Sequence, residues 1–163
     1  MTSRDAPANY PVTSMSYRDR QRRTYEAEWD TFTSAKINQP ISLQNARAMV
    51  RRHLPGWTVV RTHDSSNAWC YCEVKRIEIG KLSPAWIVAH EIAHGLVDLS
   101  GAPPGHHDVF RRHYVDVVGE EVGRYWSRKL AGQFTQRSLG MRLPDERRTP
   151  RLVVLALRLL GRL

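Results

Sequence analysis

Residues 85–98, AWIVAHEIAHGLVD, place two histidines four apart with a glutamate directly after the first: His90, Glu91 and His94. On an α-helix, residues i and i+4 project from one face a turn apart, so the two imidazoles can reach a common point. Glu91 is rotated from His90 by about 100°, near enough to touch a metal-bound water without itself binding the metal. This is the spacing of a zinc site whose glutamate acts as general base. The competing reading is two hydrogen-bonded histidines on an ordinary amphipathic helix. The flanks weigh against it, because Trp86, Ile87, Val88, Ile92, Ala93 and Leu96 make the helix a buried one. Two imidazoles and a carboxylate inside such a helix are costly unless a metal or another partner meets them.

A catalytic zinc needs a third protein ligand and an open position for water. The chain has 7 histidines. His53 and His63 precede the motif on other elements; His106, His107 and His113 come after it. In GHHDVF, residues 105–110, the histidine pair sits at the mouth of the next helix behind the rigid loop GAPPG, so His106 or His107 is the expected third ligand. Val97 and Ser100 stand where a metzincin pattern would need its glycine and third histidine, which excludes that arrangement. A carboxylate ligand at Glu120 or Glu121 is the alternative. Asp98, one turn beyond His94, is either a second acceptor that orients an imidazole or a solvated residue near the helix end. Arg111, Arg112, His113 and Tyr114 are candidates to steady an oxyanion. The chemistry expected is hydrolysis by a zinc-bound water, with Glu91 taking its proton and passing it to the leaving group, and a peptide or protein as substrate.

These residues need a scaffold, and the flanking sequence supplies one. A helix is expected from Tyr17, with Gln21, Tyr25, Trp29 and Phe32 as its inward stripe. A second runs over 43–54 with Ser42 as N-cap and Leu43, Ala46, Val50 and Leu54 inward, stopping at Pro55-Gly56. Residues 57–81 alternate in short β-rich runs, which reads as three strands in one antiparallel sheet with a tight turn or bulge near Lys75. The edge of the strand over 76–80 is expected to pair with an extended peptide. The motif helix opens with Ser83 as N-cap and Pro84 at its first position, and closes at Gly101. A long helix then starts after His106, with Phe110, Tyr114, Val117, Val118, Val122 and Tyr125 at helical spacing. Gly132, Gly140, Pro144 and Pro150 interrupt the chain beyond residue 130. The expected organisation is a disordered arm over 1–16, with Met15 as an alternative start, a globular domain over 17–130, and a basic tail over 131–163. The fold class is α+β, a small antiparallel sheet beside the motif helix and a long helix after it, in minimal zincin-like style.

At 163 residues, 41% hydrophobic and 25% charged, the chain is sized and composed for one folded domain rather than a wholly disordered one. Its net charge of +9 is unevenly placed. Residues 1–110 hold 13 basic against 11 acidic side chains, and residues 111–163 hold 12 against 5. That asymmetry makes nucleic acid a possible partner of the basic C-terminal third, and a zinc-stabilised, non-catalytic binding protein is the rival to the enzyme. Only Lys36, Lys75, Lys81 and Lys129 are lysines, so codon bias toward arginine accounts for part of the charge equally well. Residues 150–163 are expected to form a short apolar helix with Arg151, Arg158 and Arg162 on one stripe. It is too short to span a bilayer; packing on its own domain, lying on a membrane surface and docking in a groove are the options. No apolar run in the first thirty residues reads as a secretory signal, so a cytoplasmic location is the expectation. Cys70 and Cys72, if extended, would hold their side chains about 7 Å apart, as small apolar residues in a reducing compartment.

Three stretches together resemble a group of zinc metallohydrolases found in actinobacteria and their phages: YRDRQRRTYEAE at 17–28, WIVAHEIAHGLV at 86–97 and GHHDVFRRHYVDVV at 105–118. The resemblance spans residues 17 to about 125. It implies His90 and His94 as metal ligands, Glu91 as base, and His106, four before Phe110, as third ligand. His107 stands where the group has glycine. The plan of a metal helix with a late histidine after it is also similar to the SprT-like proteases, which implies a zincin fold and a protein substrate.

Overall fold

The computed structural model describes residues 15–33, 36–62 and 65–139. Most of the expected N-terminal arm, His63, and the basic tail from residue 140 with its amphipathic helix lie outside the described residues. Among the described residues the architecture is α+β, five α-helices and one three-stranded sheet.

Helix α1 spans Tyr17–Phe32, and the Ser16 hydroxyl accepts the Asp19 N–H at 3.1 Å as its N-cap. Its buried stripe is Thr24, Ala27, Glu28, Thr31 and Phe32, whereas Tyr25 and Trp29 are 47% and 69% exposed. Of the stripe expected to face inward, Phe32 does so, while Tyr25 and Trp29 are turned outward. Small residues let α1 approach its neighbours closely, and the threonine hydroxyls are satisfied within the helix by the carbonyls of Arg20 and Ala27. Helix α2, Leu43–His53, is capped by Ser42 as the sequence indicates and buries Ala46, Met49 and Val50, with Leu54 just beyond.

Strands β1 (Thr58–Arg61), β2 (Ala68–Tyr71) and β3 (Arg76–Ile79) lie in the order β1-β3-β2. The β2–β3 pair is antiparallel and the β1–β3 pair parallel, so the sheet is mixed rather than the antiparallel one expected. A left-handed Lys75 (φ 50°) turns the chain between β2 and β3, where the sequence suggests a turn. β3 then has its other side free for β1. The central position buries Ile77 and Ile79 completely. The strand expected at the edge is thus the middle one, and β1 and β2 are the edges.

Helix α3, Ala85–Leu99, carries the histidine motif and sends Val88, Ala89, Ile92, Ala93 and Val97 into the core. Its cap position is Pro84, one residue later than expected. The Ser83 hydroxyl instead ties the loops together: it accepts the Gly80 N–H at 3.0 Å and lies 2.9 Å from the Asn67 carbonyl. The long helix expected after the motif is two. Helix α4 spans Asp108–Glu121 and α5 spans Arg124–Gln136, with Gly123 (φ 125°) making the break. The break changes the helical phase, so Tyr125 is 68% exposed instead of continuing the α4 stripe. Leu130, Ala131, Phe134 and Leu139 are buried, which carries the packed unit past the boundary at 130. No helix among the described residues is long and apolar enough to cross a membrane.

Candidate metal centre

The structure brings His90 and His94 of α3 together with His106 of the α3–α4 loop. The Nε2 of His90 lies 3.2 Å from that of His94 and 3.1 Å from that of His106, and one ligand atom from each ring falls within 4.8 Å of the others. Two nitrogens bound tetrahedrally at 2.0–2.1 Å to one ion stand about 3.3 Å apart, so the triad fits a single small cation. His90 and His106 are buried and His94 is half-buried. Phe110, one turn into α4, packs under all three rings with centroids 4.5 to 4.9 Å away. Among the described residues this is the one His, Cys, Asp or Glu cluster of metal-ligating geometry.

Two of the three rings are held in the neutral, ligating form. Burial, reinforced by the neighbouring imidazoles, pushes His94 down to about 2 and His106 down to about 3. Both rings are therefore neutral at pH 7, with lone pairs to donate. Burial also opposes a charged His90, but the carboxylate of Glu28 beside it outweighs that and the net shift is upward. Glu28 on α1 is the residue that sequence reasoning missed. Its Oε1 accepts from His90 Nδ1, which fixes the tautomer and leaves Nε2 facing the other two histidines. Behind it lies the fully buried Tyr114, whose hydroxyl donates to the Trp86 carbonyl at 3.4 Å and has its pKa pushed up by burial and by the Glu28 carboxylate. The available signal is an acid alone on a stripe of small residues, Thr24, Ala27, Glu28 and Thr31, on a helix whose other acids face outward.

The loop holding His106 is fixed from both sides. The Arg111 side chain, buried, donates to the His106 carbonyl at 2.7 Å and also to the Leu139 carbonyl. Gly105 adopts φ 117°, and a Cβ there would come 2.5 Å from the ring of Tyr17. The neighbouring His107 turns away, its Nε2 against the Pro103 carbonyl.

The triad lies in a cleft of about 770 Å³ walled by α1, β2 and α3. Glu91 reaches it from α3 on the side of β2. Burial pushes its carboxyl up to about 7, against the lowering effect of His90. From α1, residues Tyr17, Gln21, Tyr25 and Glu28 line the same cleft. The Tyr25 ring stacks on His90 at 5.8 Å and meets His106 edge-on at 5.3 Å, and its hydroxyl accepts from the Gln21 amide at 3.2 Å.

The remaining candidates are not assembled with the triad. Glu121 is engaged by Arg52 and by His53 at 2.8 Å, joining α4 to α2, and Glu120 lies 3.8 Å from His53. Tyr114 donates to the Trp86 carbonyl on α3, and Arg111 holds the His106 carbonyl from behind. Arg112 pairs with Asp108 on the surface, and His113 does not line the cleft. Asp98 is on the cleft wall and exposed.

The fold and site define an α+β protein with a three-histidine candidate metal centre set in a cleft. Comparison of the chain with protein-family models, curated proteins and solved structures finds no match.

Proposed function

We propose that the protein is a zinc-dependent metallohydrolase of zincin-like plan that cleaves peptide bonds in the cytoplasm. The observation that carries the reading is the pairing of three convergent imidazole nitrogens with a buried glutamate on the adjoining cleft wall, and no fourth ligating side chain completing the cluster among the described residues. A structural zinc clamp takes four protein ligands, whereas a catalytic site leaves one position open. The two free cysteines accord with a reducing compartment.

His90, His94 and His106 would hold the ion. When bound, zinc supplies a Lewis acid that acidifies water and polarises a carbonyl. The chain's own residues supply the rest. Glu28 holds His90 in the ligating tautomer. Glu91 takes a proton from the attacking water at its carboxylate and returns it to the leaving nitrogen, and a carboxyl poised near neutrality serves both directions. The Tyr25 hydroxyl, on the α1 side of the cleft, meets the negative charge that grows on the carbonyl oxygen. β2, the free edge of the sheet on the cleft wall, offers its backbone to an extended peptide.

Glu91→Gln tests this. In a peptide or proteome cleavage screen, the variant keeps the wild-type zinc content and loses cleavage by about 10²-fold or more. Wild-type protein that binds zinc and cleaves nothing overturns the reading, and nucleic-acid binding by that same protein would instead establish the zinc-stabilised binding protein.

A further inference from the structure

The cleft wall carries the only two cysteines of the chain, Cys70 and Cys72. In an extended strand, side chains two residues apart sit about 7 Å from one another. Here β2 ends at Tyr71, whose ψ of 86° starts a 3-10 turn over Cys72–Val74, and the turn folds Cys72 back beside Cys70. The two sulfurs are 3.4 Å apart. They are about 1.4 Å from bonding distance, which a modest rotation about the side-chain bonds can close. Both thiols are half-buried, so the pair is reachable from the cleft.

We propose that Cys70 and Cys72 are a paired-thiol site, closed into an intramolecular disulfide by low-molecular-weight disulfides of the glutathione type. The inference stands apart from the hydrolase reading and requires no metal. The two thiols differ in a way that sets the order of events. Burial raises both, and Cys70 is the more deeply buried and the further raised. Cys72 therefore ionises first. Its thiolate attacks one sulfur of the oxidant, forming a mixed disulfide and expelling one thiolate. Cys70 then gives up its proton and attacks the Cys72 sulfur, displacing the second. Two protein thiols lose two electrons and two protons, and one small disulfide becomes two thiols. A bridge across a single intervening residue is strained, which places it with the readily reduced, regulatory disulfides rather than the structural ones. Closure would act on the cleft directly, because both cysteines line the cleft that also holds Glu91.

The experiment equilibrates reduced full-length protein in glutathione buffers of stepped reduced-to-oxidised ratio, blocks free thiols with N-ethylmaleimide, and measures intact mass. The expected product is a monomer two hydrogen atoms lighter, carrying no glutathione, whose maleimide uptake falls from two to none and returns to two on dithiothreitol treatment. Cys70→Ser is expected to trap glutathione on Cys72. Wild-type protein that still takes up two maleimides in the most oxidising buffer overturns the proposal, as does wild-type protein that ends as stable glutathione adducts or disulfide-linked dimers. The wild-type arm decides the matter even if the serine variant does not fold.

Discussion

Glu28→Gln isolates what α1 does for the metal centre. Glu28 is 5% exposed, and its carboxylate accepts from His90 Nδ1. Glutamine has nearly the same shape, and its amide oxygen can still accept from the imidazole N–H. The substitution therefore spares packing and ring orientation and removes the negative charge that makes His90 a stronger donor. Loss of such a partner costs about 10- to 100-fold in metal affinity, or about 1.4 to 2.7 kcal/mol. Glu28→Ala should fall at the upper end or beyond, because it also empties a buried volume and leaves His90 Nδ1 without an acceptor. Zinc dissociation constants come from competition with a chromophoric chelator, and thermal unfolding of the metal-free proteins separates a weakened site from a weakened fold. A glutamine variant that unfolds like wild type and binds zinc within twofold of it would refute the claim that Glu28 tunes the centre.

Tyr25→Phe keeps the ring contacts with His90 and His106, so zinc affinity should stay within about twofold while kcat/KM falls by about 10²-fold; unchanged turnover would reduce Tyr25 to a packing residue. Gly105→Ala must hold alanine at φ 117° against the Tyr17 ring, which should cost about 1 to 3 kcal/mol in thermal unfolding and weaken zinc binding through His106. Gly132→Ala, in α5 with open space around it, should by contrast stabilise by about 0.5 to 1 kcal/mol. Glu121 is held down at about 2; burial works against this but hydrogen bonds from His53 and Arg52 outweigh it. Its folded-state value is depressed, so its contribution is present above about 4.5 and lost as pH falls toward 2. Denaturant titrations should show wild type losing at most about 3 kcal/mol over that window after allowance for solvent screening at Arg52, and Glu121→Gln flattening the slope.

The features legible in the sequence are local ones. The cap at Ser42, the stop at Gly101, the turn near Lys75 and the buried face of α3 each depend on residues within a few positions, and the structure places them where those rules do. The pairing of strands is not local. Nothing in the β1 run states that it will lie parallel to β3, because that depends on which edge β2 leaves free. The facing of α1 escapes the sequence for a related reason. Tyr25 and Trp29 are large and apolar, so a reading from periodicity turns them inward. The close approach of α1 to its neighbours requires small residues, and Thr24, Ala27 and Thr31 provide them. Gly123 stands in a stretch that reads as continuous helix, and its backbone freedom outweighs the periodicity around it. In the site, His90, Glu91 and His94 announce themselves through spacing, while Glu28 is 62 residues from the ring it touches and carries no spacing signal.

The placement of α1 shapes the energetics of the whole centre. Two histidines arrive on α3 and one on a loop, and the elements that fix their protonation and position lie elsewhere: Glu28 and Tyr17 on α1, Arg111 on α4. Assembling three imidazoles at hydrogen-bonding distance in a buried pocket sacrifices hydration that the protein alone does not replace, since His94 and His106 are held far below their ordinary proton affinity. A cation at their meeting point would offset that cost, and because it would bind the folded arrangement but not the separated elements, its binding free energy would be added to the docking of α1. The same helix supplies Tyr25 to the cleft. Docking of α1 therefore does two things at once: it completes the support of the ligands and it builds the wall opposite Glu91. A helix that only buried apolar surface would have put its aromatic residues inward. This one keeps Tyr25 and Gln21 at the cleft and gives its buried face to small residues, Phe32 at its end and a single carboxylate, the arrangement expected if the helix is there for the site as much as for the core.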